Sequence, residues 1–230
     1  MKEFAKLFHG LDRETKTNVR LDLLVDYITK SDPLNAIWVC WFLSGNRIKG
    51  AIKVSELRSF ASERSGFGKW MLEECHDRVG DLAETITLLI GNGLKQYKGS
   101  LHEVVQRFIE PMVYMDTDER RERVFEAWDL LGENELLPFH KLLTGGFRMG
   151  VSKGNLCKAL ARVGNVEPAI IAQRLAGSWS PKSLSLEQIL NPVKEDDRLC
   201  KPSLSVWHIL CRKKLKSLVQ SRVGRWRGNG

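Results

Sequence analysis

Two short runs in the sequence set a cation, an apolar residue and a glycine ahead of an apolar segment. They are Arg78-Val79-Gly80-Asp81-Leu82 and Arg148-Met149-Gly150-Val151-Ser152, 70 residues apart. A glycine turn that hands over to a helix aims backbone N–H groups outward at the helix start. Such groups are natural donors to phosphate oxygens, and two such turns can grip two phosphate positions of a duplex. Glycine turns also join helices in proteins that bind no phosphate, so spacing alone leaves both readings open. Other constellations carry less. His9, His76, His102, His140 and His208 show neither H-x-x-x-H nor H-E-x-x-H spacing, so no metal site is expected. Cys75-His76-Asp77 falls on three faces of a helix and is rejected as a nucleophile set. Gly91-Asn92-Gly93-Leu94-Lys95 lacks the Gly-Lys-Ser/Thr ending of a nucleotide phosphate loop. Glu73, Glu74 and Glu84 read as solvated or capping residues.

The elements that would hold the two turns are helices. Leu21, Leu24, Val25 and Ile28 follow helical spacing. Ser31-Asp32-Pro33 opens a helix over 33–44 that stops at Gly45. Ser55 precedes a segment that ends at Gly66, and Gly68 opens one that runs to Val79. Leu82–Ile90 follows the first glycine turn. Ser100 and Glu103 have capping-box spacing before Val104, Val105, Phe108 and Ile109. Thr117 is read as the cap of a helix closed by Gly132, and Ser152 as the cap of one closed by Gly164. Glu167-Pro168 starts another, to Gly177. About ten helices with short glycine-marked joints result, with one longer connection over 91–100, and no alternating strand or hairpin signal. The fold class is all-α, a multi-helix bundle over residues 1–195, with 196–230 as linker and basic tail.

Charge divides the chain in the same place. The 230 residues carry 36 Lys and Arg against 28 Asp and Glu, a net charge of +8. Residues 201–230 hold Lys201, Arg212, Lys213, Lys214, Lys216, Arg222, Arg225 and Arg227 with no acid. The body is therefore neutral, and a basic-protein argument for nucleic-acid binding applies to the tail alone. Five scattered cysteines form no C-x-x-C pair, which fits a reducing, cytoplasmic setting. No run of 18 apolar residues exists, so no membrane span is expected.

Several blocks resemble bacterial ATP-dependent DNA ligases, in the order that family has them. They are Phe4-Ala5-Lys6-Leu7-Phe8 with Leu11-Asp12 and Thr15-Lys16-Thr17-Asn18, then Trp38 to Gly45, then Val79-Gly80-Asp81-Leu82-Ala83-Glu84-Thr85. The most specific is Leu142-Leu143-Thr144-Gly145-Gly146-Phe147-Arg148-Met149-Gly150-Val151-Ser152. It is similar to the Gly-Gly-Phe-Arg-x-Gly-Val-Ser turn of the family's N-terminal DNA-binding domain. The resemblance implies approximate internal two-fold symmetry and packing on the minor groove beside a nick, with phosphate contacts on both sides. Such contacts position a protein without reading sequence. By matching position it implies DNA contacts at Gly80, Gly146, Arg148, Gly150, Ser152 and Lys153, with Lys16, Thr17 and Asn18 as weaker candidates. For Arg148 a surface salt bridge stands beside the DNA reading. For Ser152 helix capping is the larger role, and for Lys16, Thr17 and Asn18 a plain helix start is the alternative.

The family's catalytic lysine lies in Lys-x-Asp-Gly, and this sequence has no such motif. Lys194-Glu195-Asp196-Asp197 lacks the glycine. The resemblance therefore implies a nicked- or intact-duplex DNA-binding module of a repair and recombination ligase, in the bacterial nucleoid, inactive alone. ATP and magnesium would serve the intact family and not this chain. Read in a shifted frame, Trp207-His208 recovers the Leu-Ala-Tyr/His expected on the approach to the adenylation domain, so the tail is a candidate frameshift product. Two other readings are a helical protein-binding scaffold and the DNA-binding half of a split ligase with a separately encoded catalytic domain.

Overall fold

The computed structural model describes residues 1–91, 97–145, 147 and 149–191. Met1–Asn191 form one compact unit. The boundary near 195, the tail and its shifted-frame reading lie outside the described residues, as does part of the 91–100 connection. Among the described residues there are twelve α-helices and no strand: the chain is all-α. In order they are α1 (Lys2–Arg13), α2 (Thr17–Lys30), α3 (Pro33–Leu43), α4 (Val54–Ser65), α5 (Lys69–Val79) and α6 (Leu82–Ile90). There follow α7 (Leu101–Val104), α8 (Thr117–Leu130), α9 (Glu133–Thr144), α10 (Lys153–Gly164), α11 (Pro168–Arg174) and α12 (Leu186–Leu190). Between α7 and α8 the chain continues through a π turn, Val105–Ile109, and a 3-10 turn, Pro111–Tyr114.

α3 is deeply buried and packs on α2, α7, α10 and α12. Its run Ala36-Ile37-Trp38-Val39-Cys40 is buried on every side, the signature of a helix with no solvent face. Its indoles still find acceptors: Trp38 Nε1 donates to His102 Nδ1 at 2.9 Å and Trp41 Nε1 to the Trp179 carbonyl at 2.9 Å. Asp32 caps it by accepting from the Leu34 amide at 2.8 Å, with Pro33 in the first turn.

Around this core α2 packs on α10, α10 on α11, and α6 on α9. α9 carries Pro138 inside the helix. A proline removes one donor and frees the carbonyl four residues back. That carbonyl, Asn134, accepts from His9 Nε2 of α1 at 2.9 Å, so the defect becomes a joint between helices.

Several boundaries differ from the sequence expectation. α4 begins at Val54, not after Ser55, because Glu56 reaches back to the Lys53 amide at 2.9 Å. Asp116, not Thr117, caps α8, in a capping box with Glu119. α8 ends at Leu130, and Gly132 caps α9 instead of closing α8. Gly164 lies inside α10, and Asn165 takes the left-handed capping position with φ 49°. α11 ends at Arg174, short of Gly177.

Glu56 also ties α4 to α8. It accepts from Thr117 Oγ1 at 3.1 Å and from Arg120 Nη1 at 3.2 Å, and the two charged side chains are 11% and 15% exposed. Desolvation pushes the carboxyl up, but the Lys53 amide, the Thr117 hydroxyl and the Arg120 guanidinium together hold it below its ordinary value. Removing one partner leaves the Arg120 charge half-buried and unpaired. Glu56→Ala is expected to cost about 3 kcal/mol, read as a lower urea midpoint with an unchanged denaturant slope.

Candidate nucleic-acid interface

The first glycine turn joins α5 to α6. Gly80 ends α5 with φ +79°, a conformation that suits glycine, and its amide donates to the His76 carbonyl at 2.7 Å. Asp81 then caps α6 by accepting from the Glu84 amide at 3.0 Å, and its other oxygen pairs with Lys141 Nζ of α9. Desolvation raises the Asp81 carboxyl, but Lys141 and the α6 amides outweigh it and hold it below the usual range. Arg78 pairs with Glu74 at 3.0 Å on the surface of α5. The cations at this turn thus already have carboxylate partners, and the α6 N-terminus holds its own anion.

The second turn joins α9 to α10 and is built differently. Gly146 and Arg148, both expected in the site, lie outside the described residues. Phe147 and Met149 are buried while Gly145 and Gly150 are exposed. Phe147 stacks on Phe4 with centroids 5.5 Å apart and meets Phe8 and Phe42 at 5.9 Å each, so the turn is pinned into the core. Gly150 has φ +62°, and its carbonyl accepts from Arg20 Nη1 of α2 at 3.1 Å. The same guanidinium donates through Nε to the Leu11 carbonyl at 3.2 Å. A Cβ at Gly150 would lie 2.7 Å from Arg20 Cζ. Glycine is favoured there by its left-handed backbone, while the Arg20 guanidinium, the mobile end of a long side chain, fills the space a Cβ would take. Ser152 Oγ accepts from the Asn155 amide at 3.1 Å, the capping role expected of it. Lys153 follows, exposed, at the first position of α10.

Lys16, Thr17 and Asn18 are exposed at the start of α2. The Thr15 and Lys16 amides there donate to Glu14 Oε1 at 2.8 Å each. These bonds, the one from Lys16 first, hold the Glu14 carboxyl below its ordinary value. A carboxylate thus occupies the two amides just ahead of α2, while no side chain caps the helix itself.

Three separated stretches of sequence meet through these bonds. Lys141 stands four residues before Gly145, about 6 Å along the helix axis. Its pair with Asp81 therefore brings the first turn to the end of α9 where the second begins. Arg20 brings α2 to Gly150. The sequence reading missed Arg20 and Lys141, and it missed Arg47, whose side chain packs on Gly145. Arg47 had a local signal, since it lies in a six-residue loop bounded by Gly45 and Gly50. Arg20 had none.

Residues 1–161 match the family model described as DNA ligase N terminus. The chain belongs to this family. It is the N-terminal domain family of ATP-dependent DNA ligases. The match to the ligase N-terminus family runs from α1 into α10 and contains both glycine turns. Comparison with curated proteins returns no match. Among the described residues no three His, Cys, Asp or Glu side chains gather as a metal site. No helix among them is long and apolar enough to cross a membrane.

Proposed function

We propose that this chain is a DNA-binding module of the ligase family, gripping duplex DNA beside a nick through its two glycine turns. The observation that carries the reading is the second turn. Its Phe147 is anchored in the core, its Gly150 takes a left-handed backbone beside the Arg20 guanidinium, Ser152 caps α10 without a charge and Lys153 follows, exposed. Backbone N–H groups and one lysine then meet phosphate, with the Ser152 hydroxyl, the Gly146 backbone and Arg148 as further contacts. Gly80 supplies the opposite limb, and Lys16, Thr17 and Asn18 flank the α2 end. Contacts of this kind fix orientation without reading bases. Affinity then falls with salt as counterions are released, and a nick is preferred modestly.

Nick joining in repair and recombination is the setting the family suggests. ATP and magnesium chemistry would belong to a catalytic core, and the residues described here do not fit that role: the sequence lacks Lys-x-Asp-Gly. No step through ATP or a metal is assigned to them. A ligase catalytic domain is the partner such a module would serve.

The test is fluorescence anisotropy of the full chain with nicked and intact duplexes across a salt series. Lys153→Met is expected to make the slope of log K against log salt shallower by about 0.9, the loss of one phosphate contact. Gly150→Val is expected to weaken binding at an unchanged slope, because a displaced backbone donor carries no charge. Wild-type binding in both variants, with loss only when Arg212, Lys213 and Lys214 are neutralised, would assign DNA affinity to the tail. The body would then be a helical protein-binding scaffold.

A further inference from the structure

The geometry points to the loop after α3 as a third limb of the interface, with Arg47 and Lys49 contacting nucleic-acid backbone phosphate beside the second glycine turn. The inference rests on the DNA-binding reading above.

The loop runs Gly45-Asn46-Arg47-Ile48-Lys49-Gly50 and alternates in and out. Asn46 is half-buried and its Nδ2 donates to the Trp41 carbonyl at 3.1 Å. Ile48 packs against the core. Arg47 and Lys49, between and after them, are exposed. Ala51 closes the loop at 2% exposure. An inward register at 46, 48 and 51 thus holds an outward register at 47 and 49, and the two cations are presented by a braced segment.

The placement is specific. A Cβ at Gly145 would lie 2.8 Å from Arg47 Cδ and 3.5 Å from its Nη1, so the arginine stem lies directly over the first residue of the turn. The absent Gly145 side chain is what admits it. No acidic partner of Arg47, Lys49 or Lys153 occurs among the ion pairs of the described residues, whereas the two cations of the first turn, Arg78 and Lys141, are paired. The two turns are therefore unequal. Unpaired positive charge gathers at the second, from α10 on one side and the α3 loop on the other. Arginine over an exposed turn keeps its stem packed and its guanidinium in water, free to take a bidentate phosphate.

The same anisotropy assay tests this, using the full chain and nicked duplex. Arg47→Met keeps the stem over Gly145 and removes the charge, and Lys49→Met does the same one register on. The double variant is expected to flatten the salt slope by about 1.8, so its affinity deficit against wild type shrinks about 12-fold between 50 and 200 mM salt. Lys69→Met, at the end of α5 remote from Gly80, is expected to leave the slope unchanged. A wild-type slope in the double variant while Lys153→Met flattens it would overturn this inference and leave the DNA-binding reading standing. A wild-type slope in all three would overturn both. Should Arg47→Met disturb folding, as read by the thermal midpoint, Lys49→Met alone decides: a slope flattened by about 0.9 supports the limb and an unchanged one rejects it.

Discussion

Phe147→Ala is expected to lower the unfolding free energy by about 3–5 kcal/mol, the usual cost of truncating a buried phenylalanine to alanine. The ring is 5% exposed and stacks on Phe4 at an interplanar angle of 15°. Phe8 and Phe42 close the cluster, so rings from α1 and α3 surround one that belongs to the turn. The cavity left behind would border two helices, α1 and α3, that are fixed elsewhere and collapse poorly. Urea unfolding should show a lower midpoint with the denaturant slope unchanged. The same change should weaken nicked-duplex binding under conditions where the variant remains folded, because Phe147 holds the backbone between Gly145 and Gly150 in place. Phe147→Leu preserves most of the apolar volume and is expected to recover most of both losses. A stability loss below about 1 kcal/mol would show that the ring does not pin the turn, since a cavity of this size costs more. A full stability loss with unchanged affinity of the folded protein would remove the turn from the interface.

Much of the helical layout follows from local chemistry and was legible for that reason. Asp32-Pro33, Ser100 with Glu103, Ser152, and Gly80 each act within a few residues of themselves, and each does in the structure what its type and spacing imply. Errors arose where two adjacent residues could play one part, as Asp116 and Thr117 do. They also arose where tertiary packing chose the glycine. Gly164 reads as a helix stop, yet it lies within α10 because a Cβ there would sit 2.8 Å from the Leu190 carbonyl of α12. Its small size serves the approach of another helix, a requirement 26 residues away in sequence. The interface divides in the same way. In the proposed site, the left-handed turns at Gly80 and Gly150 and the Ser152 cap were readable from local sequence. The bond from Arg20 to Gly150 spans 130 residues and the Asp81–Lys141 pair spans 60, and no local pattern encodes either. The unequal charge of the two turns also follows from such pairings, which composition cannot reveal in a neutral body.

His140 gives the largest expected pH effect. It is fully buried in α9, and its partners fix its tautomer. Trp128 Nε1 can only donate, and it lies 2.7 Å from His140 Nε2, so Nε2 must present its lone pair. The proton therefore sits on Nδ1, which donates to Thr87 Oγ1 at 2.8 Å, and that hydroxyl donates in turn to the Ala83 carbonyl at 2.7 Å. The chain of donors is satisfied only by a neutral imidazole. Protonating Nε2 would set two donors against each other in a dry interior. Burial accordingly drives the His140 pKa down to about 3 from its ordinary 6.5. For a base whose folded pKa is depressed, the unfolded chain takes up the proton first as pH falls. The stabilising contribution is therefore complete above about pH 6.5 and is lost progressively toward the folded value. Between pH 7.5 and 5.0 the linkage amounts to about 2 kcal/mol. The lowered carboxyls Glu14, Glu56, Asp81 and Glu103 exert their linkage mainly below pH 5, and it is common to wild type and variant. Urea unfolding at the two pH values measures it directly. His140→Gln removes the titrating group, and the wild-type pH dependence should exceed that of the variant by the same amount. Equal pH dependence in the two proteins would mean that the imidazole takes up its proton in the folded state, and that the Trp128–His140–Thr87 chain can rearrange to accept it.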